Sequence, residues 1–444
     1  MITVKTEIPV YGGYTIARGD EGIVFVRGAL PGETVRAVVS EKKKDYSVAA
    51  VSQVLEPSDM RVEPFCGHFG DCGGCHLQHA SYEGQVAMKN AIIEDCFKRI
   101  AGIEAGPDAP LTGPDTRYRH RAQFKVSADG RIGFFRMGTR DVVPVSECPL
   151  LAGPVNEALE KIRRIPEEGR EPIGGAGEIH ITCGYQHVPE AGGCQCGPEA
   201  GERGGGGDEG GLFGQGLQAA PGLSALIKGR GFDEALGSAY AEAGFDTVFF
   251  GDGSYRGRGF VTLDLAAFKY SVSPLSFFQS NWRLNLHAVD AVKEFLGPLS
   301  DGVLLDIYSG GGNFSIPFAP SAGKIICVEE NASSVKDAIR NLEINRIKNM
   351  KVIKSPFEKA SLASKNKSID AVIVDPPRPG LSREAAKKLL ELQPEKLLYI
   401  SCNPATLARD VKKLLEKYKV RSVRLVDFFP HTYHMEVLCL LARI

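Results

Sequence analysis

The chain opens on strands. Residues 22–28, "GIVFVRG", and 32–58, "GETVRAVVSEKKKDYSVAAVSQVLEPS", alternate Val or Phe with charged and small polar residues and break at Gly-Asp and Pro-Gly pairs. A period of two with frequent turns predicts short strands closing into a small twisted barrel over 1–57, an OB-like form. Residues 58–270 read as a mixed α+β unit. They hold an apolar helix around 83–102, "EGQVAMKNAIIEDCFKRIAG", and the alternating run 117–150, "RYRHRAQFKVSADGRIGFFRMGTRDVVPVSECPL". From about 270 the pattern changes to near-continuous apolar runs separated by amphipathic stretches: "GVLLDIYSG", "GKIICVEE", "MKVIKS", "IDAVIVDPP" and "EKLLYISCN". Such runs predict a parallel sheet covered by helices on both faces over 271–444, an α/β unit with its ligands at the carboxyl ends of the strands. The fold class expected is therefore multi-domain: barrel, central α+β, C-terminal α/β.

Composition changes this picture in one place. Apolar content of 43% and charged content of 24% are those of a soluble globular protein. The start, "MITVKTEIPV", shows no basic segment followed by an apolar run, so a cytoplasmic, membrane-free protein is expected. The net charge of −1 conceals an acidic segment. Residues 188–215 carry five acidic and one basic side chain, or −4, which leaves the remainder at +3. The glycine-rich core of that segment, about 189–216, has too few apolar residues to bury and reads as a surface insertion. Its Cys194 and Cys196, with Cys183 and His187 before it, have irregular spacing for a metal site. Elsewhere Arg117, Arg119, Arg121, Lys125, Arg131, Arg136 and Arg140 interleave with Tyr118, Phe124, Phe134 and Phe135. Cations beside rings suit RNA. A sheet with one polar face gives the same alternation, and the "EKKKDY" run of the barrel is equally consistent with a nucleic-acid rim or a solvated hairpin.

Candidate chemistry lies in the C-terminal unit. "LLDIYSGGGNFSIPFA" (304–319) is a strand, a triple-glycine turn and a helix start. Glycine lets a ligand approach the backbone. The dinucleotide fingerprint lacks its third glycine here, and Asp306 stands where a pyrophosphate would be repelled. Glu329 and Asp375 end two further strands, so three acids share one rim. That rim suits S-adenosylmethionine, which has no phosphate and carries a sulfonium and an ammonium, with Glu329 accepting the ribose hydroxyls.

The next strand ends in "YISCNP", where Asn-Pro forces the backbone out of the sheet and exposes Cys402. Uracil C5 is a poor nucleophile, but a thiolate added at C6 makes it electron-rich enough to take a methyl group. The C5 proton must then leave. "FFPHTYHMEVLCLL" (428–441) offers Glu436 as base, with His431 and His434 nearby. Core packing is the competing account of Cys402, and it is the one preferred for Cys96, Cys327 and Cys439.

Taken in order, "FFQSN" (277–281), "DIYSGGGNFS", "VDPPRPG", "YISCNP" and "PHTYHMEVL" resemble the motifs of the RNA uracil-C5 methyltransferases, the 5-methyluridine enzymes of tRNA and 23S ribosomal RNA. The resemblance implies Cys402 as nucleophile, Glu436 as base, and Gln279, Tyr308, Glu329 and Asp375 around the cofactor. It also implies that the barrel is a TRAM domain. In "CGHFGDCGGC" (66–75) and "ECPL" (147–150) it implies that Cys66, Cys72, Cys75 and Cys148 hold a 4Fe-4S cluster; from the spacing alone, zinc suits four thiolates equally. The expected partner is RNA, with 23S ribosomal RNA favoured over tRNA, and the expected state a monomer. An amino-group methyltransferase using "DPPR", or a non-catalytic RNA-binding module, stands as the alternative.

Overall fold

A computed structural model of the chain describes all residues except 20–21, 166–176, 186–221, 230 and 363–368. The glycine-rich insertion with Cys194, Cys196 and His187 lies outside the described residues. Among those described, no helix is long and apolar enough to cross a membrane.

The first unit is a closed five-stranded barrel in the order Ile2–Val10, Tyr14–Gly19, Gly22–Arg27, Tyr46–Glu56, Thr34–Lys42. The alternation in the sequence puts Val4, Ala17, Val24, Val26, Val35, Ala37 and Ala49 inside. Glu33 closes the floor: it is fully buried, accepts from Leu30 N (2.8 Å) and Ser58 N (3.2 Å), and pairs with Arg61 from the linker. On the "EKKKDY" hairpin Lys43 pairs with Glu41.

The central unit is a seven-stranded mixed sheet in the order Tyr255–Gly257, Thr247–Phe250, Leu223–Lys228, Glu178–Cys183, Arg121–Val126, Ile132–Phe135, Val142–Pro144. Helices Gly153–Arg164 and Glu234–Glu242 share its core through Val155, Leu159, Ile162, Leu236 and Tyr240.

The C-terminal unit is built on an eight-stranded sheet. Five parallel strands run in the order Met350–Lys354, Lys324–Glu329, Val303–Ile307, Ala371–Val374, Lys396–Ser401. Glu436–Arg443 then enters antiparallel, followed by Tyr418–Val426 and Asp108–Leu111. Both faces are buried, as the unbroken apolar runs require. Val303, Leu305 and Ile307 face one core, and Leu304, Ile325 and Cys327 face the other. The units interlock. Residues 82–111, expected within the central unit, place Ile92, Ile93, Cys96 and Phe97 in a core of the C-terminal sheet and supply its edge strand.

Candidate active site

The strand Val303–Ile307 ends at Tyr308, whose φ of +62° is left-handed, followed by Gly310 at +54° and Gly312 at +88°. Tyr308 N donates to Val328 O at 2.9 Å, so the turn folds back over the neighbouring strand. Glu329 holds that turn: its carboxylate accepts from Gly310 N (2.9 Å) and Asn331 N (2.7 Å). Beside it opens a cavity walled by Gln279, Tyr308, Gly310, Asp306 and Asp375, with Phe277 and Asn341 at its sides. Asp306 and Gln279 are buried. Asp306 Oδ2 has no protein partner. Burial, and then the neighbouring acids, push both Asp306 and Asp375 up to about 7. Crowded carboxyls with an orphaned oxygen fit a cationic ligand.

One strand further along, Cys402 follows Lys396–Ser401 and is half-buried. Asn403 caps the helix Pro404–Leu414, accepting from Ala405 N (3.1 Å) and Thr406 N (3.2 Å), so the chain must turn at the cysteine. Tyr11, from the barrel, donates its hydroxyl to Cys402 O at 3.0 Å. Burial, then Glu436, pushes the thiol up to about 11, and Arg378 opposes this by charge and by a hydrogen bond. Glu436 is the first residue of the antiparallel strand Glu436–Arg443 and is buried. Burial, then Asp375, holds its carboxyl well above the usual range. The sheet thus brings Cys402, Glu436, Asp375 and Arg378 into one electrostatic group. His434 joins it as a neutral ring, lowered to about 3 by burial and then by Arg378, with Nδ1 3.2 Å from the guanidinium. His431 points elsewhere, toward Gln85 and Asp115.

Part of the arginine-rich run is tied into the fold. Arg121 is held by Ser276 O and Pro274 O, both at 2.7 Å, and so fixes the segment entering the cavity wall. Arg117 pairs with Glu147, Lys125 with Glu178, Arg131 with Asp129 and Arg136 with Asp71. Tyr118 and Phe124 are buried, which leaves Phe135 as the exposed ring of the run. Sequence reasoning missed Tyr11, Asp337 and Asn341. Nothing local marks Tyr11. The other two lie four apart on helix Ala332–Ile344 and are buried, a spacing that marks one helix face. Asn341 donates to Gly311 O (3.0 Å), and Asp337 accepts from Ser273 N (2.8 Å).

Cys66, Cys72, Cys75 and Cys148 are gathered at the junction of the linker and the central sheet. The thiols of Cys72, Cys75 and Cys148 are raised by burial, Cys75 to about 12, and each lies within electrostatic reach of other thiols of the four. Among the described residues no three His, Cys, Asp or Glu side chains close around a point small enough for one metal ion. Cys183, Cys96, Cys327 and Cys439 are buried, the last three in the cores of the C-terminal sheet as expected.

A family model described as tRNA (Uracil-5-)-methyltransferase matches residues 260–444. An uncharacterized RNA methyltransferase of Aquifex aeolicus is 33% identical over 99% of this chain and 98% of its own. The 23S rRNA (uracil(1939)-C(5))-methyltransferase of Vibrio parahaemolyticus is 30% identical over 98% of this chain and 95% of its own. Among solved structures, the Pyrococcus abyssi tRNA (uracil-54, C5)-methyltransferase in complex with S-adenosyl-L-homocysteine superposes with a TM-score of 0.73 at 26% identity, covering 99% of this chain and all of that one. With full-length relatives at this identity, the chain belongs to the uracil-5-methyltransferase family of RNA-modifying enzymes.

Proposed function

We propose that this chain methylates C5 of a uridine in RNA, with 23S ribosomal RNA as the favoured substrate, through a temporary bond between Cys402 and C6 of the base. The observation that carries this reading is the convergence of a half-buried thiol, a buried carboxyl and a cavity rimmed by acids at adjacent strand ends. S-adenosylmethionine supplies the electrophilic methyl group. Asp306 and Asp375 would face its positive charge, Gln279 and Tyr308 would wall it, and the remaining lone pairs of Glu329 would suit its ribose hydroxyls. Cys402 gives up its proton to solvent and Sγ bonds to C6, the C5–C6 π electrons move toward O4, and C5 takes the methyl group as the sulfonium S–CH3 bond breaks and leaves S-adenosylhomocysteine. Glu436, in its ionised form, then removes the C5 proton, the double bond re-forms, and Sγ leaves. Uridine must be turned out of its RNA structure to reach this depth. A cleft of about 530 Å³ lined by Tyr14, Arg27, His76, Phe135, Arg136 and Tyr433 supports a path for the strand from the barrel to the site.

The same reading assigns the barrel as a TRAM domain and the four thiols as ligands of a 4Fe-4S cluster. Four thiolates suit zinc as well as a cluster, and the resemblance of the motifs favours the cluster. The cluster's role is to hold loops, since methyl transfer moves no electrons. The enzyme acts as a cytoplasmic monomer on this account. Ribosomal RNA is favoured by relatives at 30–32% identity, against 26% for the tRNA enzyme. That tRNA enzyme spans the full chain, so overall architecture does not choose between the two RNAs.

The test has two arms. RNA carrying 5-fluorouridine should become covalently attached to the wild type and not to Cys402→Ala, because fluorine cannot leave as a proton. Mass spectrometry of RNA from a strain lacking the protein should show 5-methyluridine lost from 23S ribosomal RNA. Loss from tRNA alone would transfer the assignment, and absence of any adduct with the wild type would overturn the mechanism.

A further inference from the structure

The nine residues 427–435 link the strands Tyr418–Val426 and Glu436–Arg443, and Val426 pairs directly with Glu436 across the two. Glu436 is thus the first residue after a hairpin connection. Successive residues of a strand point to opposite faces, so a slip of one residue in this connection would turn its carboxyl to the other face of the sheet. Whatever holds the connection decides where the proton acceptor points.

It is held by the N-terminal half of the chain, and chiefly at one residue. His431 sits at a left-handed φ of +64°. Gln85, fully buried on the helix Tyr82–Cys96, grips it twice: Oε1 accepts from His431 N at 2.8 Å and Nε2 lies 3.0 Å from His431 Nδ1. An amide nitrogen can only donate there, so Nδ1 accepts and the ring proton is on Nε2, which faces Asp115 Oδ2 at 3.3 Å. The carbonyl of His431 accepts from His76 N (2.8 Å) and Leu77 N (3.0 Å), directly after Cys75. Lys89, one turn along from Gln85, donates to Asp427 (2.7 Å) and Phe429 O (3.2 Å), and Tyr118 donates to Pro430 O (3.1 Å).

We infer that Gln85 is a positioning residue for proton abstraction: it locks His431 in its left-handed conformation and thereby sets the register and aim of Glu436. His431 serves as the hub of the connection. The inference rests on the proposed function, since it concerns the step after methyl transfer. Addition of Sγ to C6 lies upstream of Glu436 and is left to Cys402.

The experiment compares wild type with Gln85→Met, which keeps the volume and removes both grips. With uridine RNA, kcat should fall tenfold or more while kcat/KM for RNA and for S-adenosylmethionine stays within about twofold, because the slowed step follows methyl transfer. A methylated protein–RNA adduct that survives denaturing electrophoresis should accumulate, because C5 keeps its proton and Sγ cannot leave. Adduct formation with 5-fluorouridine RNA should be at least as fast as in the wild type, since displacing Glu436 removes a group that raises the Cys402 thiol. A wild-type kcat, an equal slowing of 5-fluorouridine addition, or absence of the methylated adduct overturns the inference. Should Gln85→Met not fold, Gln85→Asn, which shortens the side chain out of reach of His431 and keeps a buried amide, is read for the same adduct and decides the matter by its presence or absence. A wild type that forms no 5-fluorouridine adduct rejects the proposed function instead.

Discussion

A thiol pushed up to about 11 is almost wholly protonated at neutral pH, so Cys402 is restrained at rest. Each unit of pH between 7 and 9 then raises the thiolate fraction about tenfold. The rate of 5-fluorouridine adduct formation should climb accordingly and level off only as pH approaches the thiol's own value. Arg378 is the cation that favours the charged form. Arg378→Gln should slow the adduct at every pH in that window by roughly tenfold, the equivalent of one pKa unit, while Arg378→Lys keeps most of the rate. Rapid-quench measurements across the pH range check both, and a flat profile would sink this account of the thiol. His434, neutral beside that guanidinium, offers no second cation.

Among the elements, the turn 375–381 owes its shape to Asp410, which is fully buried on the helix Pro404–Leu414. Its Oδ2 accepts from Leu381 N (2.8 Å) and Tyr399 OH (3.0 Å), while Arg409 bridges from it to Pro379 O (2.8 Å). Gly380, at φ +80°, has Asp410 Oδ2 2.3 Å from where a Cβ would stand. Asp410→Ala strips two buried donors of their acceptor and should lower stability by about 2–4 kcal/mol, measured by urea unfolding. Unchanged stability would mean the turn is held by other contacts. The turn and the strands around it were legible in sequence because their information is local: apolar runs, glycines, Asn-Pro. The barrel was legible for the same reason, through its period of two. The edge strand Asp108–Leu111 was not, because "DAPL" carries no strand pattern and exists by pairing with Tyr418–Val426, over 300 residues away. Tyr11 at Cys402 and Gln85 at His431 are long-range partnerships of the same kind. The arginine run left two readings open for the converse reason, since a cation facing RNA and a cation pairing with a carboxylate or a backbone carbonyl read alike in one dimension.

At the scale of the whole molecule, the acids of the cavity tie global stability to ligand and pH. Asp306 and Asp375 titrate near 7 in the folded chain and near the ordinary 3.8 when unfolded. The folded state therefore binds more protons between about 4 and 7, and the ligand-free protein loses stability as pH rises through that interval, with the full penalty present above 7. A cation in the cavity interacts with the ionised carboxylates and removes the penalty where it is largest. Binding by S-adenosylmethionine should consequently tighten as pH rises through 7, and by mass action its stabilisation of the fold at a fixed concentration should grow with it. The rise in melting temperature on adding S-adenosylmethionine should be larger at pH 8 than at pH 6. S-adenosylhomocysteine lacks the sulfonium charge and keeps the ammonium, so its shift should grow less over the same interval. Asp306→Asn removes one titrating acid and should flatten the dependence for both ligands, although it also removes one negative partner and weakens binding at pH 8. Differential scanning fluorimetry at the two pH values, with both ligands and both proteins, gives the comparison. Equal shifts at pH 6 and pH 8 for the wild type would mean that the carboxyls do not face the ligand's charge, and the cavity would then have to bind by shape and hydrogen bonds alone.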